Sequence, residues 1–278
     1  MKNKEILMSD TSALIKRVSE EEGIAWLTLN RPERKNALSK ALMAEIIDCL
    51  KELRENDRIR CIVTTGAGDS FCSGLDLYDL RESWRRKRRW EEGGTAREII
   101  TLLRNCPQVT IAAINGYCLG GGMCLLNGHD IAFAADNAKI GMPEVIRGSY
   151  GAIATPTLFQ SGIPSKKAFY IQLSSENLTA EEAEKLGLVS KVVPQAQLME
   201  AANQFARMIA SRDPVTLEHA KIAAYVTKDL DFNRALQVDD LVSHRQKFYT
   251  DPLNDVEEYL RSQKGGGRPT YTKSDKKS

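Results

Sequence analysis

The sequence lacks the features that identify several common classes of protein. No run approaches the roughly 18 uncharged apolar residues that a membrane-spanning helix needs. The three histidines lie far apart and no two cysteines form a CxxC pair, so no metal site is predicted. Neither a GxGxxG fingerprint nor a Gly-Lys-Ser/Thr sequence is present, which argues against a dinucleotide-binding turn or a P-loop.

The sequence also has little net charge. Its 39 lysines and arginines stand against 37 aspartates and glutamates, which gives a formal net charge of +2. Nucleic acid or an anionic membrane is therefore not expected as the main partner. The first ten residues contain no apolar signal core and no small-residue cleavage site, so we predict a cytoplasmic protein.

What is present is the composition of an ordinary soluble protein, with 42% apolar and 27% charged residues. A chain of 278 residues can bury a sizeable core. Because the cysteines stand mostly in apolar stretches without Cys or His neighbours, we expect buried free thiols. They are Cys49, Cys61, Cys72, Cys106, Cys118 and Cys124.

Strand and helix patterns alternate through the first two-thirds of the chain. Residues 13–18 and 24–29 read as a β-hairpin, and β-branched or apolar runs at 60–65 and 108–114 read as strands. Ser39 precedes apolar residues at three- and four-residue spacing, which predicts a capped helix. Helical patterns fill the last third. The order predicts a layered α/β core followed by a helical extension.

Three regions follow from this pattern. We predict an α/β core over residues 1–205 and a helical region over residues 206–263. The last part, residues 264–278, is rich in glycine and lysine and is predicted to be a flexible basic tail.

Two glycine-bearing turns carry the chemistry. Gly74 and the run Gly120–Gly122 each stand where a strand is predicted to end and a helix to begin. The first N–H groups of a helix have no partner inside the helix, so they can bind whatever lies in front of it. Two such groups aimed at one point would stabilise a carbonyl oxygen as it becomes negative. Each turn taken alone is also compatible with an ordinary helix start.

Four motifs resemble the enoyl-CoA hydratase/isomerase (crotonase) family in order and in spacing. They are Asn30-Arg-Pro-Glu-Arg-Lys-Asn-Ala-Leu38, Ser73-Gly-Leu-Asp-Leu77, Ala113-Ile-Asn-Gly-Tyr-Cys-Leu-Gly-Gly-Gly122 and Gly141-Met-Pro-Glu-Val145. The resemblance extends from about residue 12 to residue 260.

The resemblance implies a fold, an assembly and a substrate. The fold is a crotonase-like spiral of ββα units with a C-terminal helical region, and the assembly is a homotrimer or hexamer. The substrate is an acyl-CoA thioester, so no separate cofactor is implied. Its carbonyl would accept hydrogen bonds from the backbone N–H groups of Leu75 and Gly121.

The resemblance also implies which residues contact CoA. Arg34 and Lys35 lie where the family contacts the phosphates or the adenine, and a solvated loop is the alternative for both. Asp76 is compatible with a second role, that of capping the following helix. The whole set of predicted CoA contacts is Arg34, Lys35, Ala37, Ser73, Gly74, Asp76, Leu77 and Gly120.

The carboxylates decide the reaction. The family's hydratases use two glutamates, and here Cys124 stands at the first position while Glu144 stands at the second. One glutamate suffices to move a proton between two carbons, as in double-bond isomerisation. Hydration, with other groups holding the water, and acyl-CoA hydrolysis or dehalogenation stay open. Cys124 is expected to be a neutral thiol packed against substrate rather than a nucleophile.

The single glutamate also resembles the hydroxycinnamoyl-CoA hydratase-lyases, which hold a substrate phenol with two tyrosines. Tyr78 lies near the first tyrosine position but not on it, and residues 238–240 contain no tyrosine. This departure weakens the lyase interpretation, which stays open as an alternative together with hydrolysis. The predicted pocket residues are Tyr78, Cys124, Met142 and Tyr150.

A basic segment, residues 84–90, places five cations between two tryptophans. It is compatible with a solvated surface, with binding of CoA phosphates or a substrate carboxylate, and with single-stranded nucleic acid. A non-catalytic CoA- or RNA-binding protein is therefore the alternative outside the enzyme class.

Overall fold

Paired strands followed by helices recur along the chain in the computed structural model. The structure describes residues 13–85, 94–250, 256–257 and 259–261. Within them the strands are β1 (Leu14–Ser19), β2 (Ile24–Leu29), β3 (Cys61–Gly66), β4 (Ser70–Cys72), β5 (Val109–Ile114), β6 (Tyr117–Leu119), β7 (Ile131–Ala135), β8 (Lys139–Gly141), β9 (Leu178–Thr179) and β10 (Lys191–Val193).

The helices connect and cover these strands. They are α1 (Lys40–Arg54), α2 (Leu77–Arg85), α3 (Gly94–Asn105), α4 (Gly121–Gly128), α5 (Ala154–Phe159), α6 (Ser165–Ser174), α7 (Ala180–Lys185), α8 (Leu198–Ala210), α9 (Pro214–Thr227) and α10 (Phe232–Lys247). No helix within the described ranges combines the length and the apolar character that crossing a membrane requires.

The strands form two sheets. The large sheet has the order β1-β2-β3-β5-β7-β10, and the small sheet has the order β4-β6-β8-β9. The first strand of each ββ pair joins the large sheet and the second joins the small one, as in β3–β4, β5–β6 and β7–β8. Apart from the β1–β2 hairpin and the β8–β9 pair, all neighbours are parallel. The predicted α/β spiral of ββα units is confirmed.

The large sheet is buried on both faces, which explains its apolar sequence. Every residue of β3 and of β5 is buried. One face packs on a cluster that includes α1, α3 and α4, and the other packs on α8. Strands covered on both sides read as continuous apolar runs rather than alternating ones.

Helix α1 begins where the sequence predicts. The Ser39 hydroxyl accepts a hydrogen bond from Leu42 N at 3.2 Å and caps the helix. The apolar side chains that recur along one face, Leu42, Ile46 and Leu50 among them, are buried under the sheet.

The helical end of the chain contacts the core directly. Lys221 on α9 forms a buried ion pair of 2.8 Å with Asp130, which follows α4. The boundary predicted between residues 205 and 206 falls inside α8, whose Ala206 is fully buried against the large sheet. The division into three regions stays a prediction, and the predicted tail, residues 264–278, lies outside the described residues.

Candidate functional site

The two glycine turns lie side by side in the structure. Strands β4 and β6 are parallel neighbours, and the chain leaves both at the same end of the small sheet. Gly74 follows β4 with φ of 104°, and Gly120 follows β6 with φ of 53°. Side chains rarely tolerate such positive φ, so glycine is required at both turns. Each turn leads towards a helix, as predicted: α2 begins at Leu77 and α4 at Gly121.

The peptide that precedes Leu75 is held by the segment before α1. Leu38 N donates to Gly74 O at 2.8 Å, and Asp76 N donates to Leu38 O at 3.0 Å. Leu38 and Leu75 thus form a parallel bridge. In such a bridge the flanking residues make the hydrogen bonds, so the N–H of Leu75 points to the opposite side.

The Gly121 N–H lies next to that of Leu75. It is the first of α4 and has no partner inside the helix. A Cβ placed on Gly121 would lie 3.2 Å from Leu75 N, and one on Gly74 would lie 3.3 Å from Gly121 N. Among the described residues neither N–H has a hydrogen-bond acceptor. Two unpaired donors therefore stand beside each other at the turns.

Glu144 lies against the same turn. A Cβ placed on Gly120 would lie only 2.7 Å from Glu144 Oε1, so glycine makes room for the carboxylate. The other oxygen, Oε2, is buried without a hydrogen-bond partner. Burial raises the pKa of Glu144 above its ordinary value of 4.5, although its own N–H and the charge of Arg147 act in the opposite direction. A carboxylate in this state is a ready proton acceptor.

Two of the predicted pocket residues flank Glu144. Burial raises the pKa of the Cys124 thiol to about 12, despite an interaction with the Thr157 hydroxyl, and the charge of Glu144 raises it further. A raised pKa favours the neutral form of the thiol. Met142 is buried. A Cβ placed on Gly151 would lie 3.1 Å from Met142 Cε and 3.5 Å from Glu144 Cδ, so both side chains approach Gly151.

The other two pocket residues are exposed. The Tyr150 side chain is 66% exposed, while its backbone oxygen accepts a hydrogen bond from the Thr155 hydroxyl at 2.7 Å. Two guanidinium groups contact the Tyr78 ring, that of Arg34 at 4.9 Å and that of Arg81 at 5.6 Å from its centre. The ring of Tyr78 thus makes cation–π contacts with both guanidinium groups.

Asp76 caps a helix, in line with the second role considered for it. Its Oδ1 accepts from Tyr78 N at 2.9 Å near the start of α2, and its Oδ2 pairs with Arg31 at 3.0 Å. Burial alone would raise the pKa of Asp76, but the hydrogen bonds from Arg31 and the Tyr78 N–H hold it below its ordinary value. Both oxygens are engaged within the protein.

The cations predicted to contact CoA stand on the surface near the turns. Arg34 and Lys35 are exposed, and Lys35 lies 4.4 Å from the centre of the Tyr117 ring. Within the described residues neither forms an ion pair. Two charges without a carboxylate partner are available to an anionic group.

Three further residues predicted to contact CoA surround the same turn. The Ser73 N–H donates to Lys35 O at 3.0 Å, and the buried Ala37 offers its carbonyl to the Arg31 guanidinium. The Leu77 side chain is exposed at the start of α2. These contacts join the loop before α1 to the first glycine turn.

Asn36 is a structural residue that the sequence does not single out. It is completely buried with φ of 54°, and its Nδ2 donates to Ala67 O at 2.9 Å and to Ser70 O at 2.6 Å. Asparagine tolerates this backbone conformation better than most residues. The sequence feature that could have identified Asn36 is its position at the start of Asn-Ala-Leu in the first motif.

The basic segment is only partly covered by the structure. Residues 86–90 lie outside the described residues. Arg85, at the end of α2, forms an exposed ion pair of 3.3 Å with Glu82. The role of the segment stays a prediction.

Comparison with known proteins connects this geometry with a family. The enoyl-CoA hydratase/isomerase family model matches residues 19–251. The chain is 33% identical over 217 residues to a hydroxycinnamoyl-CoA hydratase-lyase of Pseudomonas fluorescens, covering 74% of the chain and 76% of the relative. It is 32% identical over 227 residues to a crotonyl-CoA hydratase of Syntrophomonas wolfei, covering 80% of the chain and 85% of the relative.

A solved structure supports the same assignment. An enoyl-CoA hydratase of Bacillus anthracis superposes with a TM-score of 0.81 at 28% identity, covering 93% of the chain and 98% of that structure. The match of the family model over most of the sequence agrees with this shared fold. The chain belongs to the enoyl-CoA hydratase/isomerase family.

Proposed function

We propose that the protein is an acyl-CoA enzyme that stabilises the enolate of a thioester with two backbone N–H groups, those of Leu75 and Gly121. Glu144 is the acid and base that moves the proton. The observation that carries the proposal is that two unpaired donors and a partly buried carboxylate, with one oxygen that lacks a partner, lie at the same turn.

The chemistry follows from these three groups. A thioester oxygen bound by two N–H donors draws electron density from the neighbouring carbon and makes its C–H bond more acidic. Glu144 takes that proton, and the electron pair of the C–H bond moves into an enolate whose negative oxygen the donors stabilise. Return of the proton to a different carbon shifts a double bond and restores the carboxylate.

Isomerisation is the reaction that this arrangement supports best. Hydration needs one group to activate water and a second to deliver or accept the other proton. The position beside Glu144 holds the neutral thiol of Cys124, which is a poor partner for water. Hydration remains the second candidate, because several relatives are named hydratases.

A lyase that holds a phenol is less well supported. Its first tyrosine would have to face the acyl group near Glu144. The ring of Tyr78 instead contacts Arg34 and Arg81 at the surface.

The remaining parts of the proposal concern CoA, assembly and location. We propose that Arg34 and Lys35 bind the phosphates of CoA, because both are exposed and lack a carboxylate partner within the described residues. A homotrimer or hexamer is supported by exposed apolar side chains on α10, such as Phe232 and Leu241. The cytoplasmic location stays a prediction.

The test is the product formed from 2-enoyl-CoA and 3-enoyl-CoA esters by the wild type and by Glu144→Gln. We expect the wild type to interconvert the two isomers, and the variant to lose about 10²–10⁴-fold in turnover. The variant should still bind CoA thioesters. Glu55→Gln, an exposed change at the end of α1, is the matched control and should retain full turnover.

Three other outcomes are informative. Formation of 3-hydroxyacyl-CoA by the wild type would favour the hydratase. Turnover that survives in Glu144→Gln would remove Glu144 from the mechanism. CoA or RNA binding without any turnover of the wild type would favour a binding protein.

A further inference from the structure

Arg31 joins two segments that meet at the first glycine turn. Its Nη1 donates to Ala37 O at 2.6 Å, and its Nη2 donates to Asp76 Oδ2 at 3.0 Å. The side chain of Arg31 is 20% exposed and that of Asp76 is 8% exposed. The pair is thus largely shielded from water, where such hydrogen bonds are strong and directional.

The two segments held by Arg31 also hold the Leu75 peptide. Ala37 precedes Leu38, whose N–H and C=O bind Gly74 O and Asp76 N. Asp76 itself follows Leu75. The Arg31 guanidinium therefore connects two neighbours of Leu75. One is the Ala37–Leu38 segment, which binds the Leu75 peptide, and the other is Asp76, which follows Leu75 in the chain.

We propose that Arg31 is a positioning residue that keeps the Leu75 N–H directed at the thioester oxygen. The inference rests on the proposed function, since it concerns one of the two proposed donors. Arg31 acts through Ala37 and Asp76, and the proposal assigns it no contact with substrate.

The shape of the guanidinium explains why arginine stands here. Its planar fork reaches a carbonyl and a carboxylate at once, which the single ammonium group of lysine cannot do with the same geometry. An oxyanion donor must be placed within about 0.5 Å to be effective. A displacement of about 1 Å near the reacting atoms can cost roughly 100-fold in rate.

The experiment measures the donor and the rate separately. In a Glu144→Gln background, which should bind thioester without turning it over, the C=O stretching frequency of a ¹³C-labelled enoyl-CoA reports polarisation by the N–H groups. We expect a shift to lower frequency on binding. Adding Arg31→Lys or Arg31→Gln should remove part of that shift. In the background with Glu144 intact, the same changes should lower kcat by about 10–100-fold and leave KM within about 3-fold.

Two further variants control for stability. Arg207→Gln breaks an ion pair of 2.8 Å with Glu22, far along the chain from the turns, and should leave kcat and the carbonyl frequency unchanged. If Arg31→Gln alone does not fold, Arg31→Gln combined with Asp76→Asn carries the test, because it leaves no unpaired buried charge.

The possible results are distinguishable. A full carbonyl shift and wild-type kcat in the Arg31 variants would overturn the positioning role while leaving the proposed function intact. A loss of kcat with an unchanged carbonyl shift would assign Arg31 a merely structural role and also overturn the proposal. If the Glu144→Gln protein binds thioester without any carbonyl shift, the proposed pair of donors is wrong, and this inference fails with it.

Discussion

The two sides of the site are built differently. On the amide side, Arg31 and Leu38 hold the Gly74–Asp76 turn through hydrogen bonds, and Asn36 binds Ser70 O at the start of the preceding strand β4. On the acid side, Glu144 leaves one buried oxygen without a partner. The residues beyond it, such as Ile146 at 71% exposure, carry apolar side chains into solvent.

The difference matches the roles that we propose for the two sides. Donors that stabilise a developing charge work best when they are fixed before the reaction begins. A base that exchanges a proton must keep an oxygen free, although leaving it unsatisfied costs stability.

The largest effect should come from closing the space between the two sides. Gly120→Ala places a Cβ only 2.7 Å from Glu144 Oε1, on a residue whose φ is 53°. The carboxylate must move, and we expect turnover of enoyl-CoA to fall by about 100-fold or more. Turnover of the purified, folded variant is the measurement.

Gly187→Ala is the matched control for this change. Its φ is 79°, but nothing lies within 4 Å of the added Cβ. It should cost stability of roughly 1 kcal/mol through backbone strain and leave turnover unchanged. Equal turnover in Gly120→Ala and the wild type would show that Glu144 need not lie against this turn.

A second change weakens the amide side without touching the donors. Asn36→Ala removes the hydrogen bonds to Ala67 O and to the fully buried Ser70, and also the one that Asn36 Oδ1 accepts from Arg31 N. We expect the free energy of unfolding to fall by about 2–4 kcal/mol. Denaturant unfolding followed by circular dichroism measures it.

The control for Asn36 is an exposed asparagine. Asn137 donates to Gln195 Oε1 at 2.8 Å on the surface, so Asn137→Ala should change the free energy of unfolding by less than about 0.5 kcal/mol. Similar losses in both variants would contradict the view that the amide side is held by its buried network.

The sequence predicts the elements that are long and uniformly buried. Strands β3 and β5 read as apolar runs because helices cover both faces of the large sheet. Helix α1 reads clearly because its apolar face repeats and Ser39 caps it. The three-residue strands β4 and β6 are too short to show a period, although the glycines that follow them mark where they end.

The parts of the site that depend on local backbone geometry could be predicted from the sequence. Gly74 and Gly120 indicate sharp turns, and both adopt positive φ. The hydrogen bonds of Arg31 could not be predicted from its neighbours in the sequence, because its partner Asp76 is 45 positions away along the chain. Periodicity and spacing carry no information about such a contact. The contact of the Tyr78 ring with Arg34 was missed for the same reason, whereas Arg81 lies one turn further along the same helix.

The smallest effect concerns the pH dependence of stability on the acid side. Burial places the pKa of Glu144 in the folded protein above its ordinary value of 4.5, so the folded state binds more protons than the unfolded state between these two values. The contribution of Glu144 to the free energy of unfolding is therefore full below pH 4.5 and is lost as the pH rises through the folded-state pKa. Glu144→Gln cannot ionise, so it should gain stability relative to the wild type on going from acidic to neutral pH. Denaturant unfolding of both proteins over that range, with Glu55→Gln as the exposed control, measures the gap. A gap that stays constant with pH would mean that the buried oxygen costs nothing when ionised, and the contrast between the two sides would then rest on the amide side alone.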